Sequence, residues 1–119
     1  CRRRFQCLLC KREMYRQAED MATRYGCSFI ITGENLGQVA SQSLQNLYVL
    51  DQAVQMPVLR PLLGSDKKDI VAKAKDIGTY DISTAKSKRC PYVPKDPATK
   101  AGLDQIKAEE KRWRASAII

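Results

Sequence analysis

The stretch CSFIITGENLG, residues 27–37, constrains the fold more than any other part of the chain. A short apolar run from Cys27 to Thr32 ends at Gly33, and a loop bracketed by Gly33 and Gly37 follows. The run is short and does not alternate, so it reads as a strand buried on both faces, the mark of a parallel sheet. A parallel sheet needs crossover connections, usually helices on its faces. The neighbouring segments supply them. Leu8 to Tyr25 carries Leu9, Met14, Ala18, Met21 and Ala22 near helical spacing and stops at Gly26. Gln38 to Gln55 reads as a second helix, with Val39, Leu44, Leu47, Val49 and Leu50 as its apolar positions. Pro57–Leu59 is a second short strand bounded by Pro57 and Pro61. Asp66–Ile77 is a third helix, capped by Asp66 and stopped by Gly78. Residues 79–97 hold three of the five prolines and read as irregular. Ala98–Ala117 reads as a terminal helix with Lys107, Glu110, Lys111 and Arg114 as helix-spaced charge pairs. The expected fold is therefore α/β, a partial parallel sheet with flanking helices.

The 119 residues suggest one domain, spanning 1–119 with its core in 6–102 and a C-terminal helix over 98–117. Two or three strands are few for such a sheet, and the chain starts at Cys1 rather than Met. It is therefore expected to be a fragment of a longer protein. No apolar run approaches the ~20 residues of a membrane span. Lys and Arg number 21 against 13 Asp and Glu, a net charge of +8 that attracts polyanions such as nucleic acid or nucleotides. RRR at residues 2–4 and the cations at 86–89 are the local clusters. The chain has no His, which excludes His metal ligands and His general bases within it. Five cysteines, an odd number with a CxxC, argue against a disulfide framework and fit a reducing cytoplasm.

Two places carry chemistry. In open α/β sheets ligands bind beyond the carboxyl ends of the strands, so the loop after Thr32 is one. Gly33 and Gly37 let backbone approach a ligand, and a helix N-terminus offers N–H groups to an anion. The loop is neither a Walker loop nor GxGxxG, and ordinary turn glycines explain the same spacing. The second place is QCLLCKREMYR, with Cys7 and Cys10 three apart. They suit a redox pair, a zinc half-site, a cluster half-site or two small core residues. Cys90 joins them as a candidate, because Lys86, Lys88 and Arg89 beside it favour the thiolate. Cys27 opens the apolar strand and reads as core, and Cys1 as a frayed terminus.

In this order and spacing, CLLCKREMYRQAE, TGENLGQVASQSLQNL, PVLRPLLGSDKKDI, IGTY and CPYVPKDPATKAG resemble a known family. It is the C-terminal half of the PP-loop ATPase domain, adenine nucleotide alpha hydrolase-like in fold, of the tRNA 4-thiouridine synthetases. These are also known as thiamine-biosynthesis sulfurtransferases, and the archaeal branch with its CxxC is most similar. The resemblance covers about residues 6–102. It implies an enzyme that adenylates a tRNA uridine with ATP and Mg2+, then replaces the activated oxygen with sulfur. By position, Gly33 and Gln42 match residues lining the nucleotide site. Lys11 falls where many relatives carry Arg, and Arg12 is the alternative cation. Cys7, Cys10 and Cys90 match the ligands of a 4Fe–4S cluster, and Cys90 also matches the catalytic cysteine of a persulfide step. The implied partners are tRNA, a sulfur donor (a persulfide carrier or sulfide) and a second copy of the chain, with no membrane. The family's PP-loop, its THUMP domain and a rhodanese domain are missing from this sequence; the PP-loop and THUMP parts are expected in cis or in trans, unless the chain is a remnant that cannot adenylate. Two rival readings stand beside this one: a non-catalytic zinc-stabilised module that binds RNA or protein, and a cluster-dependent tRNA thiolase acting at another position.

Overall fold

The computed structural model describes residues 2–36 and 42–116. A short 3-10 turn, Arg3–Phe5, leads into α1 (Gln6–Arg24). Then come β1 (Ile30–Ile31), α2 (Leu44–Asp51), β2 (Val58–Leu59), α3 (Lys67–Asp76), α4 (Tyr80–Thr84) and α5 (Leu103–Ser116). The architecture is α/β. The two strands pair in parallel, Ile30 with Val58 and Ile31 with Leu59, and α2 is the crossover between them. Among the described residues no helix is long and apolar enough to cross a membrane.

The helix stops follow from glycine. Gly26 has φ +71° and Gly78 φ +81°, a region that L side chains rarely adopt. At each, two hydrogen bonds close a Schellman motif: Gly26 N to Thr23 O and Cys27 N to Ala22 O, then Gly78 N to Lys75 O and Thr79 N to Ala74 O. This corrects the reading of Cys27. Its N–H closes α1 rather than opening a strand, and its side chain is exposed. β1 is accordingly shorter than Cys27–Thr32, and it is not buried on both faces as expected: Ile30 is packed inside, whereas Ile31 on the opposite face is 62% exposed, because the described residues leave that face of the sheet largely uncovered. Asp66 stands at the N-cap of α3, but its side chain makes no capping hydrogen bond. Ser43 caps α2, accepting from Asn46 N at 3.3 Å, so this helix begins later than Gln38 and ends at Asp51. Gly37, Gln38 and Val39 lie outside the described residues. The 79–97 stretch contains the single short helix α4, and the terminal helix begins at Leu103, not Ala98.

The core lies where α1, α2 and α5 meet. Leu8, Leu9, Leu47, Leu50 and Ile106 are buried there, each contributing about 2 kcal/mol. The inward face of α1 runs through Leu8, Leu9, Arg12 and Tyr15. Met14 and Met21, expected on that face, are 61% and 57% exposed. The physical reason is Arg12. A hydrophobic pattern turns an arginine outward, whereas this one is 2% exposed and fully bonded inside. Its Nε and Nη2 donate to Glu110 at 3.2 and 3.4 Å, and its Nη1 donates to Val49 O. Glu110 likewise leaves the expected pairing along α5. It turns to α1, where Arg16 donates to it at 2.6 and 2.9 Å. Leu44 is exposed, while Leu47, Val49 and Leu50 are buried.

Candidate functional site

Both strands point their carboxyl ends the same way, so the residues after β1 and after β2 share one edge of the sheet. Thr32, Gly33 and Glu34 follow β1, and Arg60 follows β2. Glu34 is the centre of this edge. Arg60 Nε donates to it at 2.8 Å, Thr32 Oγ1 at 3.1 Å, and the Tyr15 hydroxyl donates to the same carboxylate. Arg60 also donates to Asp51 at 2.7 and 3.2 Å and to the Tyr15 oxygen at 2.9 Å. Burial alone would raise the Glu34 carboxyl. Hydrogen bonds from Tyr15 and Arg60 and the charges of Lys11 and Arg60 outweigh it, so the group lies below its ordinary range. Burial and the bond to Glu34 push the Tyr15 hydroxyl up to about 12. For Arg60, burial opposes the charge, and the bonds to Asp51 and Glu34 overcome it and hold the guanidinium protonated.

The same network fixes the loop. Asn35 Nδ2 donates to Leu62 O and Ser65 O at 2.6 Å each, and Leu36 N donates to Leu63 O at 3.0 Å. Within this frame Gly33 faces open space, since a Cβ there would meet nothing within 4 Å. Gln42, just before the Ser43 cap, is partly buried. Its Oε1 is buried and finds no hydrogen-bond partner among the described residues. An open glycine turn and a buried acceptor left unsatisfied among the described residues each fit a polar ligand.

α1 runs into β1 and so brings its own N-terminus back to this edge. Cys7 and Cys10 sit in its first turns, and Lys11 Nζ lies 3.5 Å from Glu34. Lys11 thus stands between the thiols and the glycine loop. Arg12 does not share this face, because its guanidinium is engaged by Glu110 and Val49. Cys90 arrives from the far end of the chain. Burial raises the Cys7 thiol first, and the neighbouring Cys90 raises it further, more than Cys10 one turn along the same helix. Lys11 acts in the opposite sense. Cys7 is partly buried, and Cys10 and Cys90 are exposed.

Among the described residues no three Cys, Asp or Glu side chains stand close enough to grip one metal ion. A cluster with iron at several corners spreads its thiolates more widely than one ion does. Three thiols with no histidine are also the donor type such a cluster takes.

Sequence reasoning singled out the loop and the cysteines but missed Glu34, Arg60, Tyr15 and Asp51. A signal was present for two of them. Glu34 and Arg60 are charged residues placed just after the two strands, at the edge where α/β proteins bind ligands.

A family model described as "Thiamine biosynthesis protein (ThiI)" matches residues 1–114. A probable tRNA sulfurtransferase of Methanocaldococcus jannaschii is 52% identical over 103 residues, covering 87% of this chain and 27% of that protein. One from Methanosarcina mazei is 47% identical over 112 residues, covering 94% and 28%. The chain therefore spans under a third of the length of these relatives. The crystal structure of a 4-thiouridine synthetase–RNA complex with bound ATP superposes with a TM-score of 0.80 at 36% identity, covering 98% of this chain and 33% of that one.

Proposed function

The chain belongs to the ThiI family of thiamine-biosynthesis proteins, and on that premise we propose that it is part of an ATP-dependent tRNA uridine sulfurtransferase acting in the cytoplasm. The observation that carries this reading is a convergence at one edge of the sheet. The open turn at Gly33 and Lys11, paired with Glu34, lie there; Cys7 and Cys10 stand in the first turns of the helix that carries Lys11, and Cys90 neighbours Cys7.

The chemistry divides between the two halves of this edge. The uridine 4-oxygen attacks the α-phosphorus of ATP and pyrophosphate leaves. A sulfur nucleophile then attacks carbon 4 of the base and AMP leaves. Gly33 and Gln42 contact the adenylate, the first by admitting it close to backbone and the second through its unsatisfied acceptor. Lys11, anchored on Glu34, adds positive charge where oxygens of phosphorus gain negative charge. Mg2+ accompanies ATP and neutralises its phosphates. The pyrophosphate cradle comes from a PP-loop, and further tRNA contacts from a THUMP domain, in cis or in trans. Cys7, Cys10 and Cys90 would hold a 4Fe–4S cluster with one iron open, which would supply a binding position for sulfide-level sulfur. Without a cluster, Cys90 carries the sulfur: it takes the outer sulfur of a persulfide carrier, which leaves as a thiol, that sulfur attacks carbon 4, and the neighbouring Cys7 thiol then releases the 4-thiouridine by forming a disulfide with Cys90. The same sulfur-handling chemistry would serve the thiazole of thiamine.

The test is 4-thiouridine in tRNA from cells whose native protein carries Cys90→Ala. Loss of the modified base is expected, and an unchanged level overturns the role of Cys90. Iron and acid-labile sulfide in anaerobically purified native protein, both lost in Cys7→Ala, are the expected metal result. Zinc alone would favour a binding module.

A further inference from the structure

The segment from Ala98 to Ala101 is a junction between the two halves of the site. Ala98 N donates to Arg4 O at 3.0 Å, tying the segment to the turn that opens α1, three residues before Cys7. Asn46, fully buried in the first turn of α2, grips it from the other side. Its Nδ2 donates to Ala98 O at 2.8 Å, and its Oδ1 accepts from Ala101 N at 3.0 Å. Ser43, next to Gln42, caps the same helix and donates its hydroxyl proton to Thr99 O. The side chains of Ala98 and Ala101 are buried in the core.

The upstream connection explains why such a junction matters. Between the end of α4 at Thr84 and the start of α5 at Leu103 the chain forms no helix or strand. Cys90 lies in that stretch, and nearly all of its residues from 85 to 97 are exposed. An irregular arm has few bonds of its own to set the direction in which it leaves the core. Its direction is set at the anchor. Two alanines bury little area, whereas an amide that bonds both ends of the segment fixes its orientation, and a buried amide is costly to leave unpaired.

We propose that Asn46, with Ser43, is a positioning residue that couples the nucleotide loop to the Cys90 arm. This inference rests on the reading of Gly33 and Gln42 as adenylate contacts. Gln42 and Ser43 are adjacent, so a ligand that draws on Gln42 shifts or steadies the first turn of α2. The three bonds to residues 98–101 carry that change to the arm. Coupling of this kind is reciprocal: ordering of the arm raises nucleotide affinity by the same factor by which nucleotide favours the ordered arm.

Hydrogen exchange on the native full-length protein tests the coupling, with a non-hydrolysable ATP analogue as the probe. In the unsubstituted protein the analogue slows amide exchange over residues 86–97 by about fivefold or more. Exchange over α3 is unchanged. In Asn46→Asp, and separately in the milder Ser43→Ala, the analogue still binds but the slowing falls below about twofold. A slowing that persists in both variants means that the ligand covers the arm directly, and overturns the proposal. So does an analogue that binds the unsubstituted protein with no effect on residues 86–97. Failure of the analogue to bind at all removes the adenylate reading itself, and this inference with it.

Discussion

The two halves of the site are built in opposite ways. The loop edge is densely bonded. Glu34 accepts three hydrogen bonds and Lys11 pairs with it, Arg60 spans three elements, and Asn35 holds the facing loop at two points. The Cys90 arm is nearly bare. Between residues 85 and 97 only Pro94 is buried, and the arm's ion pair, Arg4 with Asp96, is 3.8 Å long and exposed. The contrast matches the two kinds of work proposed for this site. Stabilising charge on phosphorus requires dipoles fixed before the reaction begins. A thiol that receives sulfur from a donor and offers it to a large RNA must be reachable. Stability and chemistry should therefore separate along the chain: substitutions at the loop edge should unfold the protein, and substitutions in the arm should disarm it.

The sharpest break of this comparison is Arg60→Met. It leaves the Glu34 carboxylate buried without its main cation, and removing one partner of a buried pair costs about 3–5 kcal/mol. Urea unfolding should show that loss; a change under about 1 kcal/mol would mean the edge is not the stabilising region. Acidification is the next largest effect. The folded-state carboxyls of Glu34 and Glu110 lie below their ordinary value of 4.5, and the unfolded chain restores that value. The stabilisation is therefore present above about pH 4.5 and is lost as pH falls through the folded-state values. Unfolding midpoints measured from pH 7 down to pH 3 should fall at the acid end. Glu34→Gln should flatten that fall, and an unaltered profile would contradict the assignment.

Part of this contrast is legible in the sequence. The α/β class follows from one unalternating apolar run, and the stops at Gly26 and Gly78 follow because only glycine accepts their φ at little cost. The inward turn of Arg12 is not legible, since its partner Glu110 lies near the other end of the chain and periodicity carries no information about a distant acid. Cys27 misleads for a local reason, as a Schellman closure borrows the first residue of what reads as a strand. For the site, a loop at the end of a strand points to ligand binding on general grounds. The nearness of Cys90 to Cys7 has no signature in spacing at all and depends on the resemblance. The Asn46 junction is invisible for a similar reason: an asparagine in a helical pattern reads as polar surface until its two backbone partners are seen.

The smallest effect on stability belongs to the arm, and it is the most informative. Cys90→Ala removes an exposed thiol with no hydrogen-bond partner among the described residues, so the unfolding free energy should stay within about 0.5 kcal/mol. The same substitution should abolish 4-thiouridine. Neither result alone distinguishes a sulfur-bearing residue from a dispensable one, but together they do. A substitution that unfolded the protein would mean that the arm is part of the scaffold, and the division between a rigid loop edge and an accessible thiol would collapse. A silent substitution in both assays would leave the division intact but place the sulfur on Cys7 or Cys10, at the start of α1. Loss of chemistry with stability retained would put the working thiol on the least bonded stretch of the chain, held in place chiefly through its anchor at residues 98–101.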